Sequence, residues 1–549
     1  MPLRLLLATV SSAFLSACAS MDAASVAGAK VDPVRMNETV RVLSGDDFEG
    51  RGPTTPGEEK AVSWIAAQFK ALGLEPAGDN GGWYQTVPIN RFVQDGPAVI
   101  TARAGGETIT FQRGTDVIVG SHRPVSRITV TDTPVVFVGY GVTAPERGWD
   151  DFKGVDVRGK IVLMLVNDPD FEVAADSPTA GKFDGQGMTY YGRWVYKFEE
   201  AARRSAAGVL VIHETAGAGY PWTTLQNSST AAGLDIVRAN VEAERVQAQG
   251  WIQQPVAARL MQAAGLDFAT LKASAQKADF RPVDLSGVTL SLNFGQTFQR
   301  LTTRNVVAKL TGTTHPKETV MFGAHWDAFG HATANAAGDD IYNGAVDNAS
   351  GVAGLLELAR LFAEAPRTER SQLFVSWAAE EAGLLGAYYY AAHPLVPLET
   401  TVANINMDSL LPGPAEPEIV VIGYGKTDLQ NRLERDAKAV GRALIADPAP
   451  QVGAFYRSDH FPLAKMGVPA LFAAAGFTGA SEPSRVFVRD RYHQPTDDWD
   501  ASWSMEGAAQ DVQLLYGVSR WLAEGRDWPK WTPGNEFEAV REASKAQRN

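Results

Sequence analysis

The second half of the chain predicts an α/β fold with a mixed, mostly parallel sheet covered by helices on both faces. Three observations carry this. From residue 303 onward, short apolar runs at 306–310, 319–324, 372–377 and 419–423 lack polar alternation, as strands buried on both faces do. Stretches of helical periodicity at 350–363, 384–392, 429–440 and 505–523 separate them, as in a helix-covered sheet. Acidic and histidine residues stand at the ends of these runs, where such sheets bind ligands.

The elements before residue 303 are of two kinds. Residues 57–72 place Ala61, Trp64, Ile65, Phe69 and Leu72 at three- and four-residue spacing, with Gly73 closing the helix. The segments 84–89, 98–102 and 108–111 read as short strands of a hairpin or small edge sheet. From about 127 to 290 the chain has strands of its own at 134–139, 160–166 and 208–212, with a helix near 196–206. No candidate ligand lies in that block, which therefore reads as a smaller, β-rich α/β domain inserted into the larger one. A chain of 549 residues is too long for one core, which stops growing near ~250–300 residues. The expected organisation is 34–126 and 291–526 as the two parts of one domain, 127–290 as the insert, and 527–549 as an irregular surface extension.

The N-terminus predicts export. Arg4, an apolar run over 5–15 and small residues before Cys18 describe a signal too short to span a bilayer. Leu15-Ser16-Ala17-Cys18 resembles the bacterial lipoprotein box, which implies lipidation of Cys18 after removal of the leader and a tether over 19–33. An ordinary cleaved signal with an incidental Cys is the alternative. Ala19-Ser20 lacks the Asp that resembles an inner-membrane retention signal, so the expected location is the outer membrane, facing periplasm or surface, with contact only through the lipid. Cys18 is the single Cys, so no disulfide or Cys metal site is expected elsewhere. A net charge of −13 argues against nucleic acid as a partner.

Five segments carry the chemistry. His325 and Asp327 follow a strand, and their i, i+2 spacing lets the acid orient the imidazole. Asp347, in Val346-Asp347-Asn348-Ala-Ser350-Gly351, precedes a helix, where an acid taken alone would more often be a cap. Glu380-Glu381 ends another strand, where two buried carboxylates are costly unless paired or bound to cations; a solvated acidic helix start is the alternative. Asp408 ends the run 402–408. Tyr492-His493 is followed by Asp497, the expected partner of that imidazole. Together these supply two His and three acids for a pair of divalent ions, and one spare Glu. The other His residues lack such acids: His331 and His393 read as loop or surface residues, and His460 as lining the site without binding metal.

Taken in this order, the five segments resemble the zinc-dependent exopeptidase family of bacterial secreted aminopeptidases, aminopeptidase Y and glutamate carboxypeptidase. Gly50-Arg51-Gly-Pro-Thr-Thr-Pro-Gly is similar to the family's opening, and residues 127–288 resemble its inserted protease-associated domain. The resemblance implies a zinc-exopeptidase fold, a peptide substrate and two Zn2+ ions, with other divalent metals compatible. It implies that Asp347 bridges the ions, Glu381 and His493 complete one site, and His325 and Asp408 the other. Glu380 would be the general base and Asp327 the orienting acid. All five ligand positions are present, unlike in relatives of this fold that use one zinc or have lost catalysis. Tyr456 and Ser458 are candidate oxyanion donors, with Asp459 beside them. An aminopeptidase is the leading expectation. A carboxypeptidase or dipeptidase, with Arg457 or Arg491 on the substrate carboxylate, and a non-catalytic binding lipoprotein are the alternatives.

Overall fold

The computed structural model describes residues 30–228, 232–473 and 476–548. The export segment and Cys18 lie outside the described residues. The mixed, mostly parallel sheet is present. Its strand order is Ala443–Ala446, Glu418–Ile422, Ala470–Ala473, Thr401–Asn406, His315–His325, Arg370–Trp377 and Val283–Leu310. The strand His315–His325 pairs in parallel with both Arg370–Trp377 and Thr401–Asn406, so these three end on the same side.

Both faces are buried, and neighbouring residues divide between them. Val306, Ala308, Val320, Phe322 and Phe374 face a core shared with the helices Pro33–Leu43, Pro56–Ala71, Ser350–Glu364 and Glu506–Glu524. Val307, Met321, Leu373 and Val375 face the opposite core, under Leu385–Ala392 and His460–Lys465. That is why these strands read as unbroken apolar runs.

The structure corrects several expectations. The segments 84–89 and 98–102 are one strand, Tyr84–Ala104, paired antiparallel with Val283–Leu310 from Tyr84↔Val306 to Arg103↔Thr289. Gly96 and Pro97, which look like a break, fall at a bulge opposite Asn293 and Gly295, where Gly96 takes a φ of 69°. This ribbon joins the first sheet to a second set of strands, Arg127–Phe137, Ile161–Leu165, Gly208–His213, Ala248–Gln253 and Val117–Gly120. The apolar core of that second set starts earlier than residue 127. Ile100, Ala102, Phe111, Val117 and Val119 pack with Phe137, Leu163 and Leu210.

The C-terminal stretch is not an irregular surface extension. Trp531 and Phe537 are buried with Phe455, Tyr456 and Phe461. The Trp531 indole donates to Gly467 O at 2.9 Å, and Arg541 donates to Thr401 O and Val402 O. The mixture of Pro and Trp hides this from periodicity, because the segment packs without long regular structure. Truncating Trp531 to Ala should cost about 3–5 kcal/mol of unfolding free energy in a denaturant titration.

Candidate metal centre

Local backbone chemistry delivers each candidate side chain to one point. His325 is the last residue of its strand, and Asp408 lies two residues beyond Asn406. Glu380 and Glu381 are not at a strand end as expected. They sit in a turn after Trp377, closed by Gly383 N and Leu384 N donating to Glu380 O at 2.8 and 2.9 Å. The turn returns so closely that a Cβ on Gly386 would lie 2.2 Å from Asn305 Oδ1. Asp347 does not cap the following helix, whose N-cap position is Ala349. Instead Asn348 donates to Met407 O at 3.1 Å and accepts from Gly351 N and Ser409 N, tying the Asp347 turn to the Asp408 loop. Ser350 adds a second tie by accepting from Leu410 N at 2.8 Å. A Cβ on Gly351 would lie 2.1 Å from Asn348 Oδ1, so this position takes only glycine.

The five candidate ligands meet in two groups with Asp347 common to both: His325, Asp347 and Asp408, then Asp347, Glu381 and His493. Asp347 Oδ1 is 3.3 Å from His325 Nε2, and its Oδ2 is 3.4 Å from His493 Nε2. Asp408 Oδ1 lies 3.6 Å from His325 Nε2, and Glu381 Oε2 3.3 Å from His493 Nε2. Glu380 stands back, with Oε2 3.9 Å from His325 Nε2. Buried His325 Nε2 and Glu381 Oε1 have no hydrogen-bond partner in the protein. Two orphaned donor atoms within an N/O set of imidazoles and carboxylates fit divalent cations.

The electrostatics show the same crowding. Burial, reinforced by Asp347 and the neighbouring Glu380, pushes the Glu381 carboxyl well above its ordinary range. Burial likewise raises Glu380, against the pull of His325. Burial opposes ionisation of Asp347 too, but the nearby imidazoles of His325 and His493 outweigh it and hold that carboxyl low.

Several supporting roles differ from expectation. Asp327 does not bond the His325 ring through its carboxylate, which is 3.8 Å away; its backbone carbonyl faces that ring at 3.1 Å. Its carboxylate accepts from the amides of Glu380 and Glu381 at 3.0 and 3.3 Å, fixing the glutamate turn. Asp497 does the same for Asp347, accepting from Val346 N and Asp347 N rather than from His493. Ser458 is not free to hold an oxyanion, because it donates to Asp408 Oδ2 at 2.7 Å. Tyr456 is turned away as well, donating to Glu536 at 2.7 Å. Asp459 is buried with neither carboxylate oxygen hydrogen-bonded. His460 does not line the cavity; it is buried against Phe455 and Phe472. His331 and His393 are exposed, as expected.

One residue was missed. Arg51 is fully buried and donates to Trp326 O, Leu43 O, Asn343 O and Gly344 O at 2.6–2.9 Å. It thereby clamps the backbone on both sides of the site. Burial lowers its guanidinium to about 10, opposed by Asp497, Asp327 and Asp347. An Arg between two glycines, Gly50-Arg51-Gly52, was the available signal. The centre opens into a cavity of about 780 Å³ that reaches residues of the second strand set.

Fold and site together define an α/β domain with two groups of His and acidic side chains, either of which could hold a divalent cation, at one end of its sheet. Residues 305–516, which contain all five converging side chains, match the profile described as Peptidase family M28. A "Probable zinc metalloprotease" of Pyrenophora tritici-repentis is 38% identical over 224 residues, 35% of this chain and 46% of the relative. A "Probable lipoprotein aminopeptidase LpqL" of Mycobacterium tuberculosis is 28% identical over 229 residues, 37% and 42% of the two chains. The match thus spans less than half the length of either relative. Among solved structures, an aminopeptidase from Aneurinibacillus sp. strain AM-1 is 21% identical with a TM-score of 0.48, covering 90% of this chain and 95% of that one.

Replacing Arg51 by Leu would strand four buried carbonyls. It should cost at least about 3 kcal/mol of stability, since each unpaired group costs about 1–3 kcal/mol. Urea unfolding of the variant beside the parent measures this.

Proposed function

We propose that this chain is an exported di-zinc exopeptidase that removes residues from the N-terminal end of peptides. The observation that carries the reading is the placement of Asp347, with one carboxylate oxygen in each of two ligand groups. His325 and Asp408 would hold one Zn2+, and Glu381 and His493 the other. Bound there, the ions supply Lewis acidity for the peptide carbonyl and lower the pKa of water toward ~7.

The chain's own groups do the rest. Glu380 accepts a proton from the attacking water and returns it to the departing amine. Burial raises its carboxyl above the ordinary range, and a group that takes and returns a proton works best with a pKa near the working pH. Asp327 and Asp497 hold the glutamate turn and the Asp347 turn in place through backbone amides. Residues 127–290, read as an insert of protease-associated type, wall the far side of the cavity. Anchoring through Cys18 is supported by Leu15-Ser16-Ala17-Cys18 and by the lipoprotein description of one relative. Among the described residues no helix is long and apolar enough to cross a membrane.

Glu380→Gln should keep the metal content of the parent while turnover falls at least ~10²-fold. Full activity of this variant excludes Glu380 as the proton carrier. Free and N-acetylated peptides should be compared with and without a chelator. The free peptides should be cleaved, the acetylated ones spared, and the chelator should abolish cleavage until zinc is restored. Cleavage of the acetylated set would make the enzyme a carboxypeptidase instead.

A further inference from the structure

The two imidazoles of the metal centre are held in different ways. His325 is buried, and its Nδ1 faces Asp327 O at 3.1 Å, so a hydrogen bond fixes the ring. A metal-bound imidazole usually has such a partner for its second nitrogen. His493 has none. Its side chain is 35% exposed, and among the described residues its Nδ1 makes no hydrogen bond. Its backbone also lies in the left-handed region, with φ at 57°, where a non-glycine residue stays only when its surroundings hold it.

What holds this ring is aromatic. Tyr492 stacks on it with centroids 3.8 Å apart and planes at 27°. Phe329 meets it from another loop at 4.8 Å and 67°, in a T-shaped contact. Phe329 itself is 38% exposed. A lone exposed Phe needs no explanation, but this one is placed against a candidate metal ligand.

The loop that carries Phe329 is fixed. Gly330–His331 and Ile341–Tyr342 pair as a short antiparallel ribbon, and Tyr342 meets the Phe329 ring at 5.7 Å. The ribbon sits on the two glycines that flank Arg51. A Cβ on Gly50, whose φ is 62°, would lie 2.8 Å from both Gly330 O and Tyr342 O. A Cβ on Gly52 would lie 3.1 Å from Gly330 Cα. The Gly50-Arg51-Gly52 triplet thus seats the ribbon through its glycines while its arginine clamps the site. Phe329 does not line the cavity, so it is placed to hold His493 and not to touch a peptide.

We propose that Phe329 is a positioning residue for the second ion. With Tyr492 it clips the His493 imidazole in its ligating orientation, in place of the hydrogen bond that serves His325. The inference rests on the di-zinc reading and deepens it. Phe329 sets the affinity for the ion held by Glu381 and His493, and leaves the ion held by His325 and Asp408 unchanged.

The test reads metal binding, not turnover. Zinc binding by the full-length protein is measured in competition with a chromophoric chelator, which counts the ions and separates their affinities. Phe329→Ala should bind the first ion as the parent does and the second about tenfold more weakly, as loss of an orienting partner does. Phe329→Leu, which keeps bulk without the ring, should stay weak for the second ion, and Phe329→Tyr should restore it. Thermal melting of the metal-free proteins shows that each variant is folded, and Phe329→Leu carries the test if Phe329→Ala is not. Parental affinity for the second ion in Phe329→Ala or Phe329→Leu overturns the proposal, as does equal weakening of both ions. Fewer than two ions in the parent would instead refute the di-zinc reading, and the proposal with it.

Discussion

The constraint on which this structure depends is the crowding of acidic groups at one end of a parallel sheet. Asp327, Asp347, Glu380, Glu381, Asp408, Asp459 and Asp497 are all buried or nearly so around one point. Two like charges 4 Å apart repel by about 4 kcal/mol at an effective dielectric near 20. A few such pairs match the whole stability of a domain, about 5–15 kcal/mol. Two imidazoles and the Arg51 guanidinium offset part of this. Cations held by the two ligand groups would offset more of it, and buried His325 Nε2 and Glu381 Oε1 are left without a hydrogen-bond partner in the protein.

Support for the site is built from backbone amides. Asp327 and Asp497 act on peptide N–H groups of the glutamate turn and the Asp347 turn, while Asn348 and Ser350 lash the Asp347 turn to the Asp408 loop. Arg51 works in the opposite sense, collecting carbonyls from either side. Donor and acceptor supports of this kind fix the ligand-bearing turns independently of whether the ligand side chains are ionised. They also explain the small residues in the motifs, since Gly351 and Gly386 leave no room for a Cβ.

The strand-end placement of His325 and the ordering of the five segments were legible in the sequence, because buried parallel strands write continuous apolar runs and end at the site. The partners of Asp327 and Asp497 were not legible. Their carboxylates reach amides 53 and 150 residues away in the chain, and no local period encodes such a bond. Arg51 is legible only as part of an opening motif, since nothing in a Gly-Arg-Gly triplet says which carbonyls it will meet. The ribbon Tyr84–Ala104 reads as two strands because Gly96-Pro97 looks like a turn, while the partner strand absorbs it as a bulge. The burial of Trp531 in an irregular tail was hidden for a related reason: packing without periodicity leaves no pattern to read.

The central claim is that Asp347 is shared by two cations. Metal content of the purified, zinc-equilibrated chain tests it most directly, measured beside Asp347→Ala. The account predicts two ions per chain in the parent and loss of tight binding at both positions in the variant. One ion or none in the parent, or two ions retained without Asp347, would contradict it.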